Sequence, residues 1–252
     1  MANIVSWDAD AFDLGAPWVT TNGVEIDTST KYEGTGSMKV TSIDDTQRNQ
    51  GYWNDNGFVH DVNFGNSFFH RWYMKFDSAF EWRPPIHKAK TNRWGSSGGA
   101  QGSPLTGYIQ IDGVLPGEHN EGFTSDQGVG SGGEGPTIGY DFNPATNAAI
   151  QGWQEYIVEY KIHSAVNATD GHMKFYVNGV VTGTSLTGVR WWTDRPTANT
   201  YFEQWGVFCM SNFFPQDANG VIWIDLCSLD TTYNSVWVEG GGEPGASSAM
   251  LI

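Results

Sequence analysis

The sequence predicts an all-β fold, a two-sheet antiparallel β-sandwich, on three observations. Short runs alternate apolar with polar residues along the chain, no long stretch carries an apolar period of 3.6, and 32 glycines among 252 residues supply turns at close intervals. At that length one sandwich domain over residues 1–239 is expected, followed by a tail, 240–252, in which periodicity stops.

In chain order, Ile4-Val-Ser-Trp7 reads as a first short strand, followed by an acidic turn and then by Tyr32-Glu-Gly-Thr-Gly-Ser-Met-Lys-Val40. Asn54-Asp-Asn-Gly57 lacks the distal glutamate of a calcium loop and reads as a turn. From Ser67 to Phe76, Phe68, His70, Trp72, Met74 and Phe76 alternate with Phe69, Arg71, Tyr73 and Lys75, which gives one apolar face and one mixing cations with rings. The glycine- and serine-rich stretch 95–139 is read as one strand, 108–112, between two surface excursions. In that strand Ile109 and Ile111 oppose Tyr108, Gln110 and Asp112.

The plainest pattern lies between Trp153 and Ser185. Tyr156, Val158, Tyr160 and Ile162 share one face while Glu155, Glu159, Lys161 and His163 share the other, as in a half-buried strand. His172 to Val177 alternates again and meets Asn178-Gly179, a pair that tolerates the positive φ of a two-residue hairpin turn, so Val180 to Ser185 is expected to fold back. Tyr201 to Met210 and Val221 to Leu229 are apolar enough for central strands, with Trp153, Trp205 and Trp223 assigned to the core. Cys209 and Cys227 are expected as reduced core thiols.

A Gly-Trp that opens a long strand, then Asp170-Gly171, then the aromatic-Val-Asn-Gly hairpin resembles the middle of concanavalin A-like jelly rolls, the superfamily of lectins, laminin-G-like domains and polysaccharide lyases. The resemblance implies two stacked antiparallel sheets, one of which holds sugar. Counted with the Gly220-Val-Ile-Trp-Ile-Asp225 strand and Ser67 to Phe76 it covers about a third of the chain, and it leaves function open, since this architecture hosts lectins, lyases and structural shells alike.

Charge narrows the partners. Thirteen Lys and Arg against 28 Asp and Glu give a formal net charge of −15, which repels a nucleic-acid backbone and an anionic membrane surface. No run approaches the ~20 apolar residues of a membrane span, and no cationic, apolar leader precedes the first strand, so a soluble protein without a signal peptide is expected. Asn167-Ala-Thr169 is accordingly read as a turn rather than a glycan acceptor.

Against this acidic background six of the thirteen Lys and Arg fall between Arg71 and Arg93. Arg71, Tyr73, Lys75, His87, Lys88, Arg93 and Trp94, joined by Tyr108, Gln110 and Tyr140, form the candidate ligand-binding set. Grouped cations pair with carboxylates or sulfates, and flat rings stack on sugars. The expected partner is a polysaccharide or glycoconjugate, and no cofactor is required.

The superfamily resemblance implies a second reading, a polysaccharide lyase acting by β-elimination on a uronate-containing polymer. In such lyases Gln or Arg neutralises the uronate, His or Tyr removes the C5 proton, and Tyr returns one to the leaving oxygen. On that reading His87, Tyr73 and Tyr108 are the catalytic residues, although the chain has Gln110-Ile111-Asp112 where alginate lyases of this type carry Gln-Ile-His. Glycoside hydrolysis by paired carboxylates is disfavoured: Glu155 and Glu159 share a face but stand about 13 Å apart along an extended strand. A structural calcium ion is expected at Asp8, Asp10 and Asp225, where related jelly rolls tie first and last strands. A third reading is a decoration protein on the surface of a virus particle, with the apolar Met250-Leu251-Ile252 docking on a shell protein or on another copy of the chain.

Overall fold

A computed structural model describes residues 3–7, 18–20, 24–41, 50–53, 67–82, 88–96, 107–113, 119–125, 140, 142, 144–161, 164, 168–183, 185–189, 202–209, 218–230, 232 and 233. The strands are β1 (Asn3–Trp7), β2 (Trp18–Thr20), β3 (Val24–Asp27), β4 (Ser37–Thr41), β5 (Gln50–Trp53) and β6 (Ser67–Phe76). Next come β7 (Glu81–Trp82), β8 (Lys88–Ser96), β9 (Gly107–Gly113), β10 (His119–Ser125), β11 (Gln154–Lys161) and β12 (Gly171–Val177). The last are β13 (Val180–Val181), β14 (Leu186–Val189), β15 (Phe202–Cys209), β16 (Ala218–Asn219) and β17 (Val221–Asp230).

These strands form a two-sheet antiparallel β-sandwich. One sheet has nine strands in the order β13-β12-β11-β6-β17-β4-β3, with β1 added on β17 and β14 on β12. The other runs β10-β9-β8-β15-β5-β2, and β16 and β7 make a separate two-stranded pair. The chain passes repeatedly from sheet to sheet, so strand neighbours are distant in sequence: Met74 of β6 stands opposite Gln154 on one side and Ile224 on the other. As expected, β15 and β17 take interior positions, and β1 closes on β17 with Trp7 opposite Cys227. Cys209, in β15, belongs to the other sheet. Among the described residues no helix is long and apolar enough to cross a membrane.

Alternation builds the core. His70, Trp72, Met74 and Phe76 on β6, Tyr156, Val158 and Tyr160 on β11, Met173 and Phe175 on β12, Met38 and Val40 on β4, and Ile222 and Ile224 on β17 are all at most 2% exposed. The buried rings pack in offset and edge contacts, with Trp72 stacked on Tyr156 at 5.6 Å and Tyr156 on Phe175 at 5.9 Å. The hairpin turns where its sequence requires, with φ of 49° at Asn178 and 76° at Gly179.

Several expectations are corrected. The return strand after Gly179 is only β13, and the chain breaks away before β14 rejoins the other end of β12. Because Ile222 and Ile224 point into the core, period two turns Trp223 outward, where it is half-buried and its indole N–H donates to Asp27 Oδ2 at 2.8 Å. Trp153 is likewise half-buried, outside the core, beside Tyr32. The stretch 95–139 holds a second strand, β10, and residues 88–96 form β8. The tail 240–252, Trp191, Trp192 and the segment 128–135 lie outside the described residues.

Candidate functional site

Register in the six-stranded sheet gathers polar residues on one face. Antiparallel partners share a face, so the pairs Tyr52–Gly206, Gly206–Arg93, Arg93–Tyr108 and Tyr108–Thr124 set one row across five strands. Gly206 is the member of the row between Tyr52 and Arg93 that carries no side chain. A neighbouring row contains Lys90 opposite Gln110, and beyond it Lys88 stands opposite Asp112, itself opposite Asn120. Alternation alone would put Lys90 and Arg93 on opposite faces. A register irregularity between Lys90 and Asn92 returns them to the same face, as their partners Gln110 and Tyr108, two apart on β9, require. The alternate positions Ala89, Ile109, Ile111 and Phe123 set the opposite face, which Asn92 and Glu121 share.

The predicted set is therefore divided. Lys88, Arg93, Trp94, Tyr108 and Gln110 belong to the six-stranded sheet, with Trp94 opposite Gly107 and Trp205. Arg71, Tyr73 and Lys75 belong to β6 and so to the other sheet, so the structure does not bring them beside Tyr108 and Gln110 as the single candidate set requires. Tyr140 packs edge-on against Phe142 at 4.7 Å and Phe175 at 5.6 Å, among the core rings. His87, Asp8 and Asp10 lie outside the described residues. The sequence pattern passed over Tyr52, Asn120 and Thr124, which only the register brings to this face.

On the outward face of β6 the cation is not free to meet solvent. Arg71 is 2% exposed, and its Nε lies 3.2 Å from Glu155 Oε1. The Tyr73 hydroxyl donates to the same oxygen at 3.1 Å, and burial, with the Glu155 charge beside it, pushes that hydroxyl well above the usual phenol range. Such a tyrosine holds its proton, and its ring is stacked under Tyr32 at 4.0 Å. Further along, Glu159 accepts from the Tyr176 hydroxyl at 2.7 Å and from Lys174 Nζ at 3.2 Å, and contacts His172 Nε2 at 2.7 Å. Burial opposes its ionisation, yet these partners outweigh it and hold the carboxyl below the usual range. Glu155 and Glu159 thus serve separate polar clusters, in keeping with their spacing along β11.

Asp225 is fully buried. Its Oδ2 accepts from the backbone N–H groups of Tyr32 at 3.0 Å and Glu33 at 3.4 Å, and its Oδ1 from Leu226 N–H at 2.9 Å. Among the described residues no group of three or more His, Cys, Asp or Glu is placed to hold a metal ion.

No protein-family model matches the chain, and no curated protein sequence matches it. Solved structures do. The alginate lyase vAL-1 from Chlorella virus aligns with a TM-score of 0.58 at 17% identity, covering 91% of this chain and 99% of that one. The PL-14 alginate lyase from Aplysia kurodai gives 0.61 at 10% identity over 92% and 100% of the two chains. The endo-β-1,4-glucuronan lyase from Trichoderma reesei gives 0.58 at 13%, over 92% and 96%. The chain has the concanavalin A-like jelly-roll fold of these polysaccharide lyases. At such identities the likeness speaks for the fold.

Proposed function

We propose that the polar face of the six-stranded sheet binds an acidic polysaccharide, with Lys88, Lys90 and Arg93 meeting its carboxylates and Tyr52 and Tyr108 its sugar rings. The observation that carries this reading is the register, which sets three cations, two tyrosines and Gln110 on one face of a molecule with net charge −15. Charge-assisted bonds to carboxylates and stacking on rings are the contacts such a face offers. Structural neighbours that align over nearly their whole length and whose names state alginate or glucuronan lyase are in keeping with it.

A second reading, cleavage of the bound polymer, is favoured by Arg93 standing opposite Tyr108 with Gln110 two residues along the same face. A C5–H beside an ionised carboxylate becomes acidic only when that charge is offset, which Arg93 and the Gln110 amide are equipped to do. In the elimination a base takes the C5 proton, the C4–O bond breaks as the C4=C5 double bond forms, and the leaving oxygen receives a proton. Tyr108, opposite Arg93, is the tyrosine of this face that pairs directly with the charge-offsetting cation and is suited to that transfer.

Both readings are tested by gel retardation in alginate and glucuronan, followed by the ultraviolet absorbance of an unsaturated uronate. Retardation with a flat absorbance trace supports binding alone, and a rising trace supports the lyase. No retardation and no absorbance would remove both.

A further inference from the structure

The outward face of the nine-stranded sheet carries a second arrangement of rings. Tyr32 stacks on Tyr73 with centroids 4.0 Å apart and planes 21° apart, and Trp153 meets Tyr32 edge-on at 6.1 Å. Tyr73 backs one side of Tyr32, yet Tyr32 stays 45% exposed.

This exposed ring is held in place from several directions. Asp225 grips the Tyr32 and Glu33 amides. Asp27 Oδ1 accepts from the N–H groups of Ser29 at 2.7 Å and Thr30 at 3.2 Å, and the Ser37 hydroxyl donates to the Thr30 carbonyl. The Tyr73 hydroxyl is fixed on Glu155. The buried carboxylate that ties down two amides also fixes the backbone of a tyrosine that stays half in water, which prepares its ring as a flat surface for a ligand.

We propose that Tyr32, backed by Tyr73 and flanked by Trp153, is a stacking site for an uncharged pyranose unit of a polysaccharide. The C–H face of a pyranose is apolar and weakly positive, and complements the negative face of an aromatic ring. The local charges favour a neutral sugar: Lys31 and Glu33 flank Tyr32 with opposite signs, Arg71 is buried against Glu155, and the Lys75 ammonium lies 5.4 Å over the Trp223 ring. This site stands independently of the cationic face.

The test is affinity electrophoresis of the full chain in gels containing hydroxyethyl cellulose, xylan or galactomannan. Retardation is expected in at least one of these neutral polymers, lost in Tyr32→Ala, kept in Tyr32→Phe and unchanged in Arg93→Ala. Migration in alginate is the separate measure of the cationic face, and Tyr32→Ala leaves it as it is. Free migration of the wild type in all three neutral gels, or equal retardation of Tyr32→Ala, overturns the proposal. Should Tyr32→Ala not fold, the native protein decides. A retarding polymer protects Tyr32 from nitration by tetranitromethane, and undiminished nitration contradicts the site.

Discussion

Asp225 and Tyr73 stand opposite each other on β17 and β6, and the carboxylate of the one positions the ring that covers the other, because Asp225 Oδ2 accepts the Tyr32 N–H at 3.0 Å. Asp225→Ala removes the acceptor for three amides inside a buried site. A loss of about 3 kcal/mol is expected from one charged acceptor with several donors left unsatisfied. Urea unfolding measures it, and tyrosine near-ultraviolet circular dichroism reports the loss of the Tyr32–Tyr73 stack. A variant as stable as the wild type, with its spectrum intact, would show the loop is held by other contacts.

The pairing of buried Arg71 with half-buried Glu155 predicts asymmetry. Glu155→Ala leaves a guanidinium that is 2% exposed without its counter-ion, which costs about 3–5 kcal/mol. Arg71→Met together with Glu155→Gln removes both charges and is expected to recover a large part of that. A double-mutant cycle by urea unfolding measures the coupling, and additive losses would contradict it.

His70 predicts a pH dependence. Burial lowers its pKa from 6.5 to about 3, so the folded protein holds the imidazole neutral while the unfolded chain protonates near pH 6.5. The unfolded state binds the extra proton, so this contribution is level above pH 6.5 and falls below it. The slope approaches about 1.4 kcal/mol per pH unit, down to about pH 3. Comparing the urea midpoints of the wild type and His70→Leu between pH 7.5 and about pH 5.5 isolates the slope from the carboxylates. Parallel curves would show that His70 is not held neutral.

Strands with undisturbed alternation were legible in the sequence. Phe68 to Phe76 and Tyr156 to Tyr160 declare their inward faces, and Asn178-Gly179 declares its turn. β8 was hidden because the irregularity between Lys90 and Asn92 breaks the period of two, so its residues do not declare a strand. Trp223 misled because size argued for the core while Ile222 and Ile224 already filled the inward positions. Sheet membership was beyond local pattern, since β6 pairs with strands some 80 and 150 residues away. That is why Arg71 and Arg93, both cations beside tyrosines in sequence or register, read as one set and lie in different sheets.

The central claim is that the face around Arg93, Lys90, Tyr108 and Gln110 takes up an acidic polysaccharide. Calorimetric titration of the wild type and Arg93→Ala with alginate oligosaccharides tests it most directly. A charge-assisted bond of about 1.5–3 kcal/mol predicts a loss of affinity of about 10- to 100-fold in the variant, shrinking with added salt. Equal affinity in both proteins, or binding that salt leaves unchanged, would contradict the account.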